Sequence, residues 1–385
     1  MRKKITLLLG IIISFGIYSC GTEPDVAELK ITEEIKKIEL TKAQKETAYC
    51  LDTFFARLAH NNEFNGNVLI AKHDTVIFKK SYGKSDFSSK ASLTDSSLFQ
   101  LASVSKTFTA CLTLQLVEQK KLDLEDDVRK YLHGFPYEGI TIKSLLSHRS
   151  GLFNYIYFCS DTIEDKTTKL NNEDVFRLVC CGKPAPYMKP GQQFNYNNTN
   201  YMLLALIAEK ATGKGFKALL KENIFDKCKM ISTFFVDELG GKNNVCKGYT
   251  FSLREVEGDM FDHVWGDKGI YTTSGDLFLF EEAYFSGKLI STKMMEQALQ
   301  PYSDERKLNN YGFGWRMKNF NSDEKLIYHN GWWHGFRTAL QRRLKDGTVI
   351  IILSNRLNKS VYHTWKIFNC IDGKVIEEKE EEGEE

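Results

Sequence analysis

Residues 100–117, QLASVSKTFTACLTLQLV, constrain the fold of this chain more than any other stretch. Val104, Phe108, Cys111, Leu112 and Leu116 recur at intervals of three and four, the mark of a helix buried along one side. Ser103 stands at the mouth of that helix and Lys106 three residues later, nearly one turn, so hydroxyl and ammonium lie one above the other. The positive end of the helix dipole stabilises an alkoxide or oxyanion developing at Ser103. Hydroxyl, neighbouring amine and dipole together make an activated nucleophile. Ser-x-x-Lys alone proves little, since it also occurs at Ser81/Lys84 and Ser322/Lys325. Only the middle copy opens an apolar segment of helical period. An N-capping Ser103 beside a solvated Lys106 is the plainer reading of the same letters.

With 385 residues, 42% of them hydrophobic, the chain can bury a large core as two domains or as one with an insertion. Its formal charge of +2 contains no basic block beyond Arg2, Lys3 and Lys4, so nucleic acid is not an expected partner. The apolar run 5–18 is shorter than the ~20 residues of a membrane span and reads as part of a signal peptide covering 1–19. A small residue before Cys20 resembles the bacterial lipoprotein cleavage box. That resemblance implies a lipid attached at Cys20, a tether over 20–45, and a location in the cell envelope facing periplasm or exterior; ordinary cleavage or an uncleaved anchor are the alternatives. Eight further cysteines show no spacing that selects a pairing, and most read as small buried hydrophobes. With neither C-x-x-C nor H-E-x-x-H, no metal site is expected.

Along the chain, Tyr49, Leu51, Phe54, Phe55 and Leu58 form an apolar helical stripe, and 67–71 and 76–82 read as a β-hairpin. Residues 141–146, 200–212, 216–225 and 274–285 read as helices. Strand character returns at 312–317, 326–329, 336–344 and 348–354, before a last helix over 359–371. Strands at both ends with helices between them predict an α/β fold: an antiparallel sheet built from both termini, flanked by helices, with a mainly helical insertion over about 131–300. The domain spans 46–372, and the acidic stretch 373–385 reads as a disordered tail.

Two more stretches carry chemistry. In 189–198, a Pro-Gly turn precedes Tyr196 and Asn198, which can project into one cleft from an extended loop. A tyrosine beside lysine charge can relay a proton, and an asparagine offers a donor and an acceptor to a substrate amide. In 327–336, a strand lies on each side of a turn carrying Gly331, whose missing side chain lets backbone approach a ligand. The following amide, that of Trp332, can then serve as an oxyanion donor. The plain alternatives are a turn that packs Tyr196 into the core for the first stretch and a core aromatic cluster for the second.

Ser103-Val104-Ser105-Lys106, then Tyr196-Asn197-Asn198, then His329-Asn330-Gly331 resemble, in that order, the three motifs of the penicillin-recognising serine hydrolases. The branch they resemble holds class C β-lactamases, D-Ala-D-Ala carboxypeptidases, D-aminopeptidases and esterases. Flanking 66–71, 145–152 and 269–277 agree. The resemblance implies a β-lactamase/transpeptidase-like fold with the site between sheet and helical domain. It implies that Ser103 forms an acyl-enzyme, that Lys106 and Tyr196 move protons, and that Asn198 holds the substrate amide. Ser103 and Trp332 would supply the oxyanion amides, and no cofactor is implied. His329 departs from the lysine of many β-lactamases and is only partly charged at neutral pH; Arg337, just downstream, is a candidate for the missing charge. The expected activity is therefore a D-amino-acid peptidase or esterase acting on a small, peptide or ester substrate. A β-lactamase, a penicillin-binding sensor without turnover and a structural lipoprotein are the alternatives.

Overall fold

The computed structural model describes residues 39–303, 308–319, 325–358, 360–362 and 364–374. The leader, Cys20, most of the tether, Ser322 and nearly all of the acidic tail lie outside the described residues. Among those described, no helix is long and apolar enough to cross a membrane.

Seven strands form one antiparallel sheet: β1 (Gly66–Lys72), β2 (Thr75–Tyr82), β3 (Asn309–Tyr311), β4 (Arg316–Asn319), β5 (Lys325–Trp333), β6 (Phe336–Arg343) and β7 (Thr348–Ser354). Their order is β2-β1-β7-β6-β5-β4-β3, so the first hairpin pairs with the last strand, Gly66 opposite Ser354. The β1–β2 turn is His73-Asp74 with both φ positive, the two-residue geometry whose twist matches the flanking strands.

Alternation along β1 and β7 assigns the two faces of the sheet. Leu69, Ala71, Val349, Ile351 and Leu353 join the main core. The intervening Val68, Ile70, Ile350 and Ile352 are equally buried and face the other way. That second face is covered by helix α1 (Lys42–His60), whose Phe55 ring lies 6.3 Å from Phe78 and 6.0 Å from Tyr82. A capping box opens α1: Thr41 Oγ1 accepts from the Gln44 N–H at 3.3 Å and Gln44 Oε1 from the Thr41 N–H at 2.9 Å. Tyr49, expected in the buried stripe, is 77% exposed. It precedes Leu51 by two residues, about 200° around the helix.

Helix α2 (Ser105–Glu118) is enclosed on all sides rather than one, with every residue from Ser105 to Leu116 buried. Its polar groups make this possible. Thr109 Oγ1 donates to the Gly266 carbonyl at 2.6 Å, Thr113 Oγ1 to the Thr109 carbonyl at 2.8 Å, and Gln115 Nε2 to the Leu289 carbonyl at 3.0 Å. Helix α3 (Asn198–Thr212) packs beside it, and Phe108 stacks at 3.8 Å on Phe280 of α4 (Ser274–Phe285). The segment expected as one helix over 216–225 is an α-helix over Phe216–Leu220 continued by a π-turn over Lys221–Phe225.

The terminal helix α5 (Thr364–Ile371) is tied to α1 by a disulfide between Cys50 and Cys370, so these two cysteines are not the simple buried hydrophobes expected of them. Nothing in their spacing, 320 residues apart, reveals the pairing. A crosslink closing so long a loop restricts the unfolded chain strongly. Reduction, or Cys50→Ser, is expected to lower unfolding free energy by roughly 2–4 kcal/mol in urea titrations; unchanged midpoints with and without reductant would contradict the bond.

Candidate active site

Ser103 lies on a 3₁₀ turn, Ala102–Val104, immediately before α2 rather than within it. The turn is pinned from both sides. The Leu101 N–H donates to the Ile270 carbonyl at 2.8 Å, and the Leu101 carbonyl accepts from Thr338 Oγ1 of β6 at 2.8 Å. Ala102 is held at φ +50°, a left-handed conformation costing about 1–2 kcal/mol for a residue with a Cβ. Strand β5 closes against this turn through Gly331. A Cβ there would stand 2.2 Å from the Leu101 carbonyl oxygen and 2.3 Å from Thr338 Oγ1.

Lys106 is fully buried, and its three donors have three acceptors: Asn198 Oδ1 at 2.8 Å, the Asp267 carbonyl at 3.0 Å and Ser103 Oγ at 3.2 Å. Asn198 is the first residue of α3, not part of an extended loop. Asn197 caps that helix, its Oδ1 accepting from the Thr199 N–H at 2.8 Å while its Nδ2 donates to the Leu152 and Phe153 carbonyls. Tyr196 stands between two cations, its ring centre 5.1 Å from Lys106 Nζ and 4.7 Å from Arg316 Cζ.

The three motifs thus bring Ser103, Lys106, Asn198 and Tyr196 together. The third motif differs from expectation. His329, Asn330, Gly331 and Trp332 lie inside β5, and the hairpin turn is His334-Gly335. His329 is buried: its Nδ1 lies 2.8 Å from the Asn330 carbonyl and so bears the proton, and its Nε2 accepts from the Tyr311 hydroxyl at 3.2 Å. Burial, with the Arg316 and Lys106 charges, holds this imidazole far below its ordinary pKa, so it is neutral rather than partly charged. The Arg337 guanidinium lies 5.8 Å from the Trp332 ring centre and 5.5 Å from that of Tyr362. Arg316 is the second cation beside Tyr196, and no ion pair links it to a carboxylate among the described residues. Trp332 is 63% exposed, which rules out a packed aromatic cluster for its ring. Because β4 pairs only with Lys325 to Tyr328, the edge of β5 beyond His329 has no strand beside it among the described residues. An extended substrate can lie along such an edge.

Two supports escaped the sequence reading. Asp267, whose carbonyl accepts from Lys106, has its carboxylate buried with Lys268 Nζ at 3.1 Å and the Tyr155 hydroxyl at 3.2 Å. His148, also buried, receives the Asn197 N–H on Nδ1 at 3.1 Å and packs with its ring centre 4.4 Å from that of Tyr196 at a tilt of 41°, fixing the entry to α3. Burial first, then the Lys106 and Arg316 charges, keep His148 neutral.

The family model described as Beta-lactamase matches residues 51–366. The chain belongs to the beta-lactamase family. Within that family it is 32% identical over 333 residues to Penicillin-binding protein 4* of Bacillus subtilis, covering 81% of this chain and 72% of the Bacillus protein. It is 26% identical to the Teichoic acid D-alanine hydrolase of Staphylococcus aureus, covering 81% of each chain. Solved structures share the fold. FmtA of Staphylococcus aureus matches with TM-score 0.73 and 23% identity over 92% of this chain and 96% of that one. The D-amino acid amidase of Ochrobactrum anthropi matches with TM-score 0.71 and 19% identity over 86% and 99%. The beta-lactamase-family fold and its serine-hydrolase class are therefore those the motifs implied.

Gly331→Ala forces β5 off the Ser103 turn and is expected to reduce stability by about 1–3 kcal/mol, together with most hydrolytic turnover; wild-type stability and rate would show that the close approach is not needed. Separately, His148 and His329 stay neutral in the folded chain but take up protons below about pH 6.5 once unfolded. Their contribution is therefore complete above that pH and lost as pH falls below it, by up to about 1.4 kcal/mol per pH unit for each imidazole. Urea unfolding at pH 7.5, 6.0 and 5.0 measures this slope, and a flat profile contradicts it.

Proposed function

We propose that this serine hydrolase removes D-aminoacyl groups, held as esters or amides, from substrates of the cell envelope. The arrangement around Lys106 carries the reading: a buried amine within reach of the Ser103 hydroxyl, locked by two further acceptors. Ser103 Oγ attacks the acyl carbon while the Lys106 ammonium donates to that oxygen, and the hydroxyl proton passes by way of Tyr196 to the leaving alcohol or amine. Charge on the carbonyl oxygen is met by the Ser103 and Trp332 amides; each such donor contributes about 3 kcal/mol to barrier lowering. Asn198 holds the acyl side of the substrate. Water then takes the place of the leaving group, and the acyl-enzyme is hydrolysed.

Arg316 supports an anionic substrate, either a carboxylate or a phosphate close to the scissile bond. The relatives point the same way, one named for hydrolysing D-alanine from teichoic acid and one structural neighbour named a D-amino acid amidase. The Cys50–Cys370 bond fits an exported chain. We place the protein in the envelope, held by a lipid on Cys20 and exposed on the outer side of the membrane that carries it.

Initial rates with D-alanyl and L-alanyl esters, a D-alanyl amide and a chromogenic β-lactam test this reading. The D-alanyl ester or amide is expected to give the highest kcat/KM, with Lys106→Met lowering kcat by about 10²–10⁴. Arg316→Met should raise KM for anionic substrates and leave neutral esters nearly unchanged. Fastest turnover of the β-lactam would instead assign a β-lactamase. Acylation without turnover of any substrate would assign a sensor.

A further inference from the structure

Three side chains with no part in this reaction converge where the tip of the β5–β6 hairpin meets the segment 258–263. His334 and Gly335 form the two-residue turn between Trp333 and Phe336, with φ +42° and +82°. Asparagine or glycine fits the first of these positions with less strain than histidine. The His334 imidazole lies between two carboxylates, Nε2 3.2 Å from Asp259 Oδ2 and Nδ1 3.4 Å from Asp262 Oδ1. Yet His334 Nε2 and Asp262 Oδ1 are buried atoms without a hydrogen-bond partner, so the three groups approach one another without satisfying one another. One donor atom from each falls within 4.8 Å of the others.

The surroundings fix these groups. Asp259 Oδ1 accepts from the Phe261 N–H at 2.8 Å, and Lys169 Nζ donates to the Asp259 carbonyl at 2.9 Å while standing 3.8 Å from Asp262 Oδ2. A Cβ on residue 258 would lie 2.0 Å from Asp262 Oδ2, so Gly258 makes room for that carboxylate. Asp262 and His334 are nearly enclosed, and Asp259 is open to solvent on one side, which provides a way in.

We propose that Asp259, Asp262 and His334 bind a divalent cation of the Zn²⁺ or Mn²⁺ type, which clamps the hairpin tip to the 258–263 segment at the wall of the cleft. One imidazole with two carboxylates is a nitrogen–oxygen donor set of the kind these ions take, whereas Ca²⁺ and Mg²⁺ take oxygen alone. The clamp touches the reaction machinery only through intermediaries. The Trp333 ring lies 4.8 Å from that of His334 and 5.0 Å from Lys268 Nζ, and Lys268 pairs with Asp267, whose carbonyl holds Lys106. The sequence shows no metal motif because the ligands come from two segments far apart in the chain.

The full chain, stripped with a chelator, is titrated with ZnCl₂ and separately with MnCl₂ by calorimetry, and thermal unfolding is followed with each ion. One of the two is expected to bind at about one equivalent and, at a hundredfold excess over Kd, to raise Tm by about 5 °C. Asp262→Asn and His334→Asn should each weaken binding at least tenfold. His334→Asn suits the turn, so its metal-free Tm should not fall below that of metal-free wild type; Asp259→Asn, at the more open ligand, is the second variant should Asp262→Asn fold poorly. Weak binding by the glutamate-rich 377–385 stretch survives in every variant and is recognised by that. Absence of saturable binding of either ion, or wild-type affinity in the Asp262→Asn/His334→Asn double variant, overturns the proposal.

Discussion

Burial of the Lys106 ammonium is the constraint to which the rest of the cleft answers. A charge removed from water is tolerated only where its donors are met by acceptors in good geometry. Here those acceptors come from three parts of the chain: the turn at Ser103, the first residue of α3, and the Asp267 carbonyl. Each is then fixed in its turn. Leu101 is bonded to residues at 270 and 338, Asn197 caps α3 while holding the carbonyls of Leu152 and Phe153, and Asp267 is locked by Lys268 and Tyr155. Losing any of these supports leaves a buried cation with an open donor, so catalytic geometry and local stability are bound together.

Charge in the cleft is distributed to match. Two imidazoles, His148 and His329, lie close to Lys106 and Arg316, and both are kept neutral by burial and by those cations. The positive potential therefore belongs to Lys106 beside Ser103 and to Arg316 beside the Tyr196 ring rather than to a histidine. A substrate with an anionic group near its scissile bond meets a fixed guanidinium rather than a titrating ring.

Much of this was legible in the sequence, for identifiable reasons. The termini-built sheet followed from β-rich runs at both ends, and those of β1 and β7 are nearly continuous in apolar residues because both faces are buried. The grouping of Ser103, Lys106, Tyr196 and Asn198 followed from short motifs whose order is specific even though each is common. Other features left no local trace. The His-Asn-Gly-Trp-Trp run resembles a turn in sequence, yet Gly331 serves close packing within β5 and the turn lies at His334-Gly335. Arg316 is one basic residue among many until β4 sets it against Tyr196. The Cys50–Cys370 pairing, the Asp267–Lys268–Tyr155 cluster and the full enclosure of α2 depend on contacts between distant segments, which periodicity cannot report.

The central claim, that Ser103 is acylated with Lys106 as its partner, is tested most directly by intact mass over time after mixing with a penicillin or an activated D-alanyl ester. Wild type should gain the mass of one acyl group, mapped by peptide digestion to residues 100–106. Ser103→Ala should gain none, and Lys106→Met should acquire the adduct far more slowly. An adduct that persists in Ser103→Ala, or that forms at the wild-type rate without Lys106, would contradict the account.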